Sequence, residues 1–218
     1  MSYPSGDVRD QLAHVGAEAV RSGLVVGSGG NLSAREPGAD ACWVTAADTW
    51  LDRLDRREFS LLRISDGTVL DGHPNPSSEW RLHTHTYLAR PDVNALVHLH
   101  PQTSVLLAAL GHPIRLVTTD HCFYVREVVV RPYVQPGTDD LAQDAADAVS
   151  DGANAVILGH HGCSVLGETV ELAHKRAFNL EEAARTTALA IMLGAPADAI
   201  PACPPGYVEA MLRGTVTR

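Results

Sequence analysis

The chain has 218 residues, 45% of them hydrophobic and 20% charged, a composition that excludes a disordered or fibrous protein and allows a sizeable core. A net charge of −9 opposes nucleic acid or an anionic membrane as partner, because both reward clustered Lys and Arg. No apolar stretch approaches the ~18 residues of a membrane span, and Met1-Ser2-Tyr3-Pro4-Ser5-Gly6-Asp7 lacks the basic and apolar regions of a signal peptide, so a cytoplasmic location is expected.

Apolar spacing at Val8, Leu12, Val15 and Ala19 predicts a helix over 7–22, ended by Gly23. Gly27-Ser28-Gly29-Gly30-Asn31-Leu32-Ser33 reads as a glycine-rich turn into a short strand. Short strands are expected at 42–45, 59–64 and 68–70, the last two joined by Ser65-Asp66-Gly67. A helix over 77–90 stops at Pro91, and a strand over 95–100 follows. Further helices are expected at 102–110, 139–149, 170–193 and 206–213, and further strands at 114–118, 128–131 and 154–159. These elements interleave without a regular βαβ repeat, and several strand pairs are close enough to lie antiparallel. The pattern predicts an α/β fold: a three-layer α/β/α sandwich around a mixed, largely antiparallel sheet, in one domain over 1–218.

Cys42, Cys122, Cys163 and Cys203 are widely spaced, form no CxxC and are expected as free thiols. Against sixteen Arg there is one Lys, Lys175, in an Ala/Glu/Arg-rich helical stretch that reads as solvated. Chemistry through a lysine Schiff base is therefore not expected.

The strongest chemical signal is Ala95-Leu96-Val97-His98-Leu99-His100-Pro101. Side chains alternate faces along a strand, so both imidazoles share one face and Leu99 takes the other. Paired neutral imidazoles on a buried surface point to a divalent metal. A second apolar run, Ala155-Val156-Ile157-Leu158-Gly159-His160-His161-Gly162, supplies further ligands. Three imidazoles leave one zinc position open, the pattern of a catalytic site. Any one of these histidines is more simply a polar residue at a strand end, but an HxH joined by an HHG favours metal. Spacing leaves open which of His160 and His161 binds. His83 and His85, on a helix, and His112, on a turn, read as surface residues or as supports for the ligands.

Two further segments carry chemistry. In Pro76-Ser77-Ser78-Glu79-Trp80-Arg81 the serines read as helix N-cap residues that also make an anion site. Glu79, in the first turn, is stabilised by the helix dipole and is also a carboxylate suited to accept a proton from carbon. Gly27-Ser28-Gly29-Gly30-Asn31 completes neither GxGxxG nor a P-loop, yet offers backbone N–H groups and an amide to an anion.

Taken together, the glycine-rich turn into Asn31-Leu32-Ser33, Pro76-Ser77-Ser78-Glu79, the run from Arg90-Pro91-Asp92 through His98-Leu99-His100, and His160-His161-Gly162 resemble the class II aldolase/adducin family in order and spacing. The resemblance covers most of residues 8–195. It implies that family's fold, a zinc ion held by His98, His100 and His161, and Glu79 as fourth, displaceable ligand and proton-transfer group. It also implies a substrate phosphate held by Asn31, Ser77, Ser78, Ser28 and Gly30, and a homotetramer with sites at subunit interfaces. The activity implied is a zinc-dependent lyase, an aldolase that makes or cleaves a carbon–carbon bond through a metal-stabilised enediolate. Its partners would be a hydroxyketone or sugar phosphate and an aldehyde. A sugar-phosphate 4-epimerase or a 3-oxo-acid phosphate decarboxylase would use the same core, and an adducin-like scaffold would use only the fold.

The chain departs from the family at two places. Thr45-Ala46-Ala47-Asp48 stands where the family often has Thr-Pro-Ser/Thr-Gly beside the phosphate, and the Asp48 carboxylate opposes an anion unless it points away. The resemblance implies that the acid for the aldehyde oxygen comes from Thr118-Thr119-Asp120-His121-Cys122-Phe123-Tyr124, with Asp120, His121 and Tyr124 as candidates and Tyr207 as another. Tyr133 reads as structural.

Overall fold

The computed structural model describes residues 3–216; Met1 and Ser2, which begin the stretch read above for a leader, lie outside the described residues, as do Thr217 and Arg218. In chain order the elements are α1 (Val8–Arg21), β1 (Asn31–Ala34), β2 (Ala41–Thr45), β3 (Phe59–Arg63), β4 (Val69–Gly72), α2 (Trp80–Ala89), β5 (Ala95–Leu99) and α3 (Gln102–Ala109). There follow α4 (Thr119–Tyr124), β6 (Val129–Arg131), α5 (Asp139–Val149), β7 (Ala155–Leu158), β8 (Gly162–Gly167), α6 (Val170–Met192) and α7 (Pro205–Leu212).

The strands form one eight-stranded sheet in the order β4-β3-β2-β1-β5-β8-β7-β6. All neighbours are antiparallel except β6 and β7, so the sheet is mixed and largely antiparallel as expected. Strand alternation divides the core into two. Leu32, Val97, Leu99, Ile157 and Val165 face α1 and α6, where Leu12, Val15, Ala177 and Leu180 meet them. Val44, Leu62, Leu96, Val156 and Leu166 face α2 and α5, where Leu82, Tyr87, Leu141 and Val149 meet them. The result is the three-layer α/β/α sandwich, with each large apolar side chain contributing about 1.5–3 kcal/mol of burial.

Helix starts follow the capping chemistry. Thr138 Oγ1 accepts from Leu141 N–H at the head of α5, with Asp139 and Asp140 in its first turn. Thr169 Oγ1 accepts from Leu172 N–H at the head of α6. At α2 the structure corrects the expected start at 77: the helix begins at Trp80, and Glu79 is the N-cap residue without using its side chain to cap.

Two other expectations need correction. Segment 114–118 is not a strand. Ile114 and Leu116 pack on the core, but Arg115 N–H donates to Thr187 Oγ1 and Leu116 O accepts from Cys203 N–H. Its backbone is satisfied by α6 and the C-terminal segment, not by a sheet neighbour. Strand β8 is an addition to the expected elements, which run from the strand at 154–159 to the helix at 170–193. Its glycine ends and central serine hide a strand that is buried throughout between β5 and β7.

Among the described residues, no helix is long and apolar enough to cross a membrane. The four cysteines are free and buried. Lys175 pairs with Glu171 at 2.7 Å on the α6 surface, as a solvated lysine does.

Candidate metal centre

Register places the first histidine. His98 on β5 lies opposite Asn31 of β1 on one side and Ser164 of β8 on the other. It shares the α2 face with Leu96, while Val97 and Leu99 face α6. His100 follows just past the strand end on the same face. The tight β7–β8 hairpin brings in His161, whose N–H donates to Leu158 O at 3.0 Å. In that hairpin His160 takes a left-handed φ of 56° and is exposed, so the pair is resolved: His161 joins the cluster and His160 does not.

The three imidazoles form a near-equilateral triangle, with ring centroids 5.1 Å (His98–His100), 4.9 Å (His98–His161) and 5.1 Å (His100–His161) apart. Glu79 closes the group from the head of α2. Its Oε2 is 3.3 Å from His98 Nε2 and its Oε1 is 3.3 Å from His161 Nε2. One ligand atom from each of Glu79, His98, His100 and His161 lies within 4.8 Å of the others. Two glycines make the approach possible. A Cβ at Gly162 would lie 2.6 Å from His100 Cδ2, and one at Gly30, where φ is +79°, would lie 2.4 Å from His98 O.

The electrostatics suit a cation. Burial, then the neighbouring His98, push the His161 ring down to about 4; burial, His98 and His161 do the same to His100. Both rings are thus neutral at pH 7 and keep a lone pair for a ligand. Burial by itself would raise the Glu79 carboxyl. The hydrogen bond and charge of His98, the charge of His161 and the Asn31 amide outweigh it and hold Glu79 well below the usual carboxylate range. Glu79 Oε1 is nonetheless buried with no hydrogen-bond partner. A buried, ionised oxygen facing three imidazoles fits a divalent transition metal bound by three nitrogens and one oxygen.

Behind the cluster runs a buried hydrogen-bonded chain. Asn31 Nδ2–H donates to Glu79 Oε2 at 2.9 Å, so Asn31 Oδ1 turns to His83 Nε2 at 2.5 Å. An amide oxygen only accepts, so His83 carries its proton on Nε2. Its Nδ1 then accepts from Ser33 Oγ at 2.6 Å, and Ser33 Oγ accepts from Tyr87 OH at 2.7 Å. Complete burial, then the nearby His98, push His83 down to about 3, so the ring stays neutral. His98 Nδ1 rests on Ser164 Oγ at 3.2 Å. Of these supports, the sequence pattern points only to His83. A signal was present: Glu79, His83 and Tyr87 recur every four residues along one side of α2, opposite Asn31 and Ser33 on one face of β1.

Ser28, Gly30, Asn31, Ser77 and Ser78 all line one cavity of about 380 Å³, together with Glu79, His100 and Asp48. Asp120 and Tyr124 do not line it. They lie on α4, which packs near Arg176 of α6, and Tyr124 borders a separate hollow of about 670 Å³ with Phe123, Thr169 and Lys175. His121 is buried on α4 and closes a capping box with Thr118. His85 lies 3.4 Å from Asp139, away from the cluster.

The fold and this donor set define a class II aldolase. The chain belongs to the Class II Aldolase and Adducin N-terminal domain family, whose sequence profile matches residues 10–188. It is 33% identical over 181 residues to the 5-methylthioribulose-1-phosphate/5-deoxyribulose-1-phosphate aldolase of Rhodospirillum rubrum, covering 81% of this chain and 78% of that protein. It is 32% identical over 192 residues to the 3-oxo-tetronate 4-phosphate decarboxylase of Escherichia coli K12, covering 86% and 87%. A solved L-fuculose 1-phosphate aldolase superposes with a TM-score of 0.85 at 28% identity over 98% of both chains.

Proposed function

We propose that this enzyme is a zinc-dependent lyase that makes or cleaves a carbon–carbon bond beside the carbonyl of a ketose or ketose phosphate, with an aldehyde as the other fragment. His98, His100 and His161 would hold the ion, and Glu79 would be its fourth, displaceable ligand. When bound, the ion supplies a Lewis acid for the oxygens of the hydroxyketone. The observation that carries the reading is Glu79 Oε1, buried without a hydrogen-bond partner and 3.3 Å from His161 Nε2. A carboxylate oxygen so placed is suited to take a proton from substrate carbon and to return it. Asn31, held by His83, fixes the other oxygen, so the proton moves at Oε1.

Ser28, Gly30, Asn31, Ser77 and Ser78 would bound the rest of the substrate in the cavity that they share. Asp120 or Tyr124 would supply the acid for the aldehyde oxygen at a neighbouring subunit's site. That arrangement calls for an oligomer, a cytoplasmic homotetramer in which residues 1–218 form one domain.

The similarity to the Escherichia coli decarboxylase favours a second reading, loss of carbon dioxide from a 3-oxo acid. That reaction leaves an electron pair beside a ketone, and the proton that quenches it would come from solvent, relayed through Glu79. A 4-epimerase would break and re-form the bond without releasing the aldehyde, and an adducin-like scaffold would need none of the four donors that stand intact here.

The test is metal analysis of the purified, zinc-reconstituted protein, joined to exchange of carbon-bound protons of dihydroxyacetone and its phosphate in heavy water. About one ion per chain and catalysed exchange are expected. Less than about one ion per several chains after reconstitution would overturn the reading.

A further inference from the structure

The lining of the cavity beside Glu79 includes two carboxylates. Its ionisable lining residues are Asp48, Glu79 and His100. Two are acids and the third is an imidazole, while among the described residues no Lys or Arg lines the cavity. A phosphate monoester brings a charge of about −1.5 to −2 at neutral pH, and Asp48 repels it.

Several of the donors that would offset that repulsion are already engaged within the protein. Ala46 N–H donates to Glu58 O at 2.9 Å, Ala47 N–H to Asn75 O at 3.0 Å, and Gly29 N–H to Val26 O at 3.1 Å. Ser77 N–H donates to Thr45 O at 3.0 Å, and Glu79 N–H to Ser77 Oγ at 3.3 Å. The Thr49 hydroxyl donates to Ala46 O at 3.0 Å. Asn31 is bound at both ends of its amide, to Glu79 and His83. Asp48, on the turn at 46–49 with a left-handed φ of 59°, adds a carboxylate acceptor to the cavity lining. What such a wall binds is a group that donates hydrogen bonds, and adjacent hydroxyls of a polyol do so to a carboxylate.

We infer that the substrate of this site is an unphosphorylated polyhydroxy ketone, and that Asp48 determines this specificity by accepting its hydroxyls and rejecting a phosphate ester. The inference rests on the lyase reading for its chemistry but not for its binding test. That test is calorimetric titration of inorganic phosphate into zinc-loaded wild-type protein and the Asp48→Asn variant. Asn tolerates the same backbone conformation and removes the charge.

Phosphate is expected to bind the variant at least about tenfold more tightly, the effect of one like charge at a partly screened site. Equal affinities would overturn the inference, whatever is found for turnover. In parallel, wild-type kcat/KM for dihydroxyacetone is expected to exceed that for its phosphate ester by at least about tenfold, with Asp48→Asn shifting the ratio toward the ester. A wild-type preference for the ester would also overturn it. Tenfold tighter phosphate binding by the variant, with neither ketone processed by either protein, would uphold the specificity and sink the lyase reading instead.

Discussion

Glu79 Oε2 and His98 Nε2 lie 3.3 Å apart, one at the head of a helix and the other on a central strand nineteen positions further along the chain. The contact ties the α2 layer to the sheet at the one point where the sheet carries imidazoles instead of apolar side chains. An ionised carboxylate is stable there because His98, His161 and the Asn31 amide face it. Substitutions around this pair separate proton transfer, metal binding and support.

Glu79→Gln keeps the shape and removes the charge. The variant is expected to retain most of its metal through the three imidazoles and to lose exchange of carbon-bound protons by at least about a hundredfold. Elemental analysis and NMR-monitored exchange check the two halves. Undiminished exchange would remove Glu79 from its role.

His161→Ala and His160→Ala are neighbours with opposite expectations. His161 stands within the cluster, while His160 is exposed at the hairpin tip. His161→Ala is expected to weaken zinc binding by at least about a hundredfold and His160→Ala by little. Competition with a chromogenic chelator measures both, and the reverse order would reassign the ligand.

His83→Leu leaves Asn31 Oδ1 and Ser33 Oγ without their buried partner. The expected cost is about 2–4 kcal/mol of stability, read by urea denaturation of the metal-free protein. A loss under about 0.5 kcal/mol would show that the chain of hydrogen bonds contributes little.

The metal-free protein should lose stability on mild acidification. His83 is pushed down to about 3 and His174 to about 4, both chiefly by burial, against about 6.5 in an unfolded chain. Above about 6.5 neither state binds these protons; below it the unfolded chain takes up protons that the folded rings refuse. Stability therefore falls as pH drops from about 6.5 toward 4, by up to about 1.4 kcal/mol per pH unit for the fully buried His83. His174→Gln, away from the cluster, should flatten the fall in Tm. A Tm independent of pH across that window would contradict the assignment.

Much of this was legible in the sequence, for physical reasons. The run 95–100 is apolar except for two histidines in phase, so both the buried strand and the shared face follow from alternation alone. Helix α5 matches its expected span because Thr138, Asp139 and Asp140 mark its head and the apolar period marks its buried side. Strand β8 stayed hidden because glycines at both ends read as turn, and burial between two strands supplies no alternation. Segment 114–118 has strand-like residues, but α6 and the C-terminal segment satisfy its backbone. At the site, His160 and His161 are equivalent in sequence; only the left-handed turn at His160 separates them. The role of Asn31 was legible as a polar residue after a glycine turn, but not its engagement with His83 and Glu79, which depends on the register of β1 against β5.

X-ray absorption at the zinc edge of the reconstituted protein tests the central claim most directly. A shell of three imidazole nitrogens and one or more oxygens at about 2.0–2.1 Å is expected, with one nitrogen lost in His161→Ala and all three retained in His160→Ala. A shell without imidazole scattering, or one unchanged by His161→Ala, would contradict it.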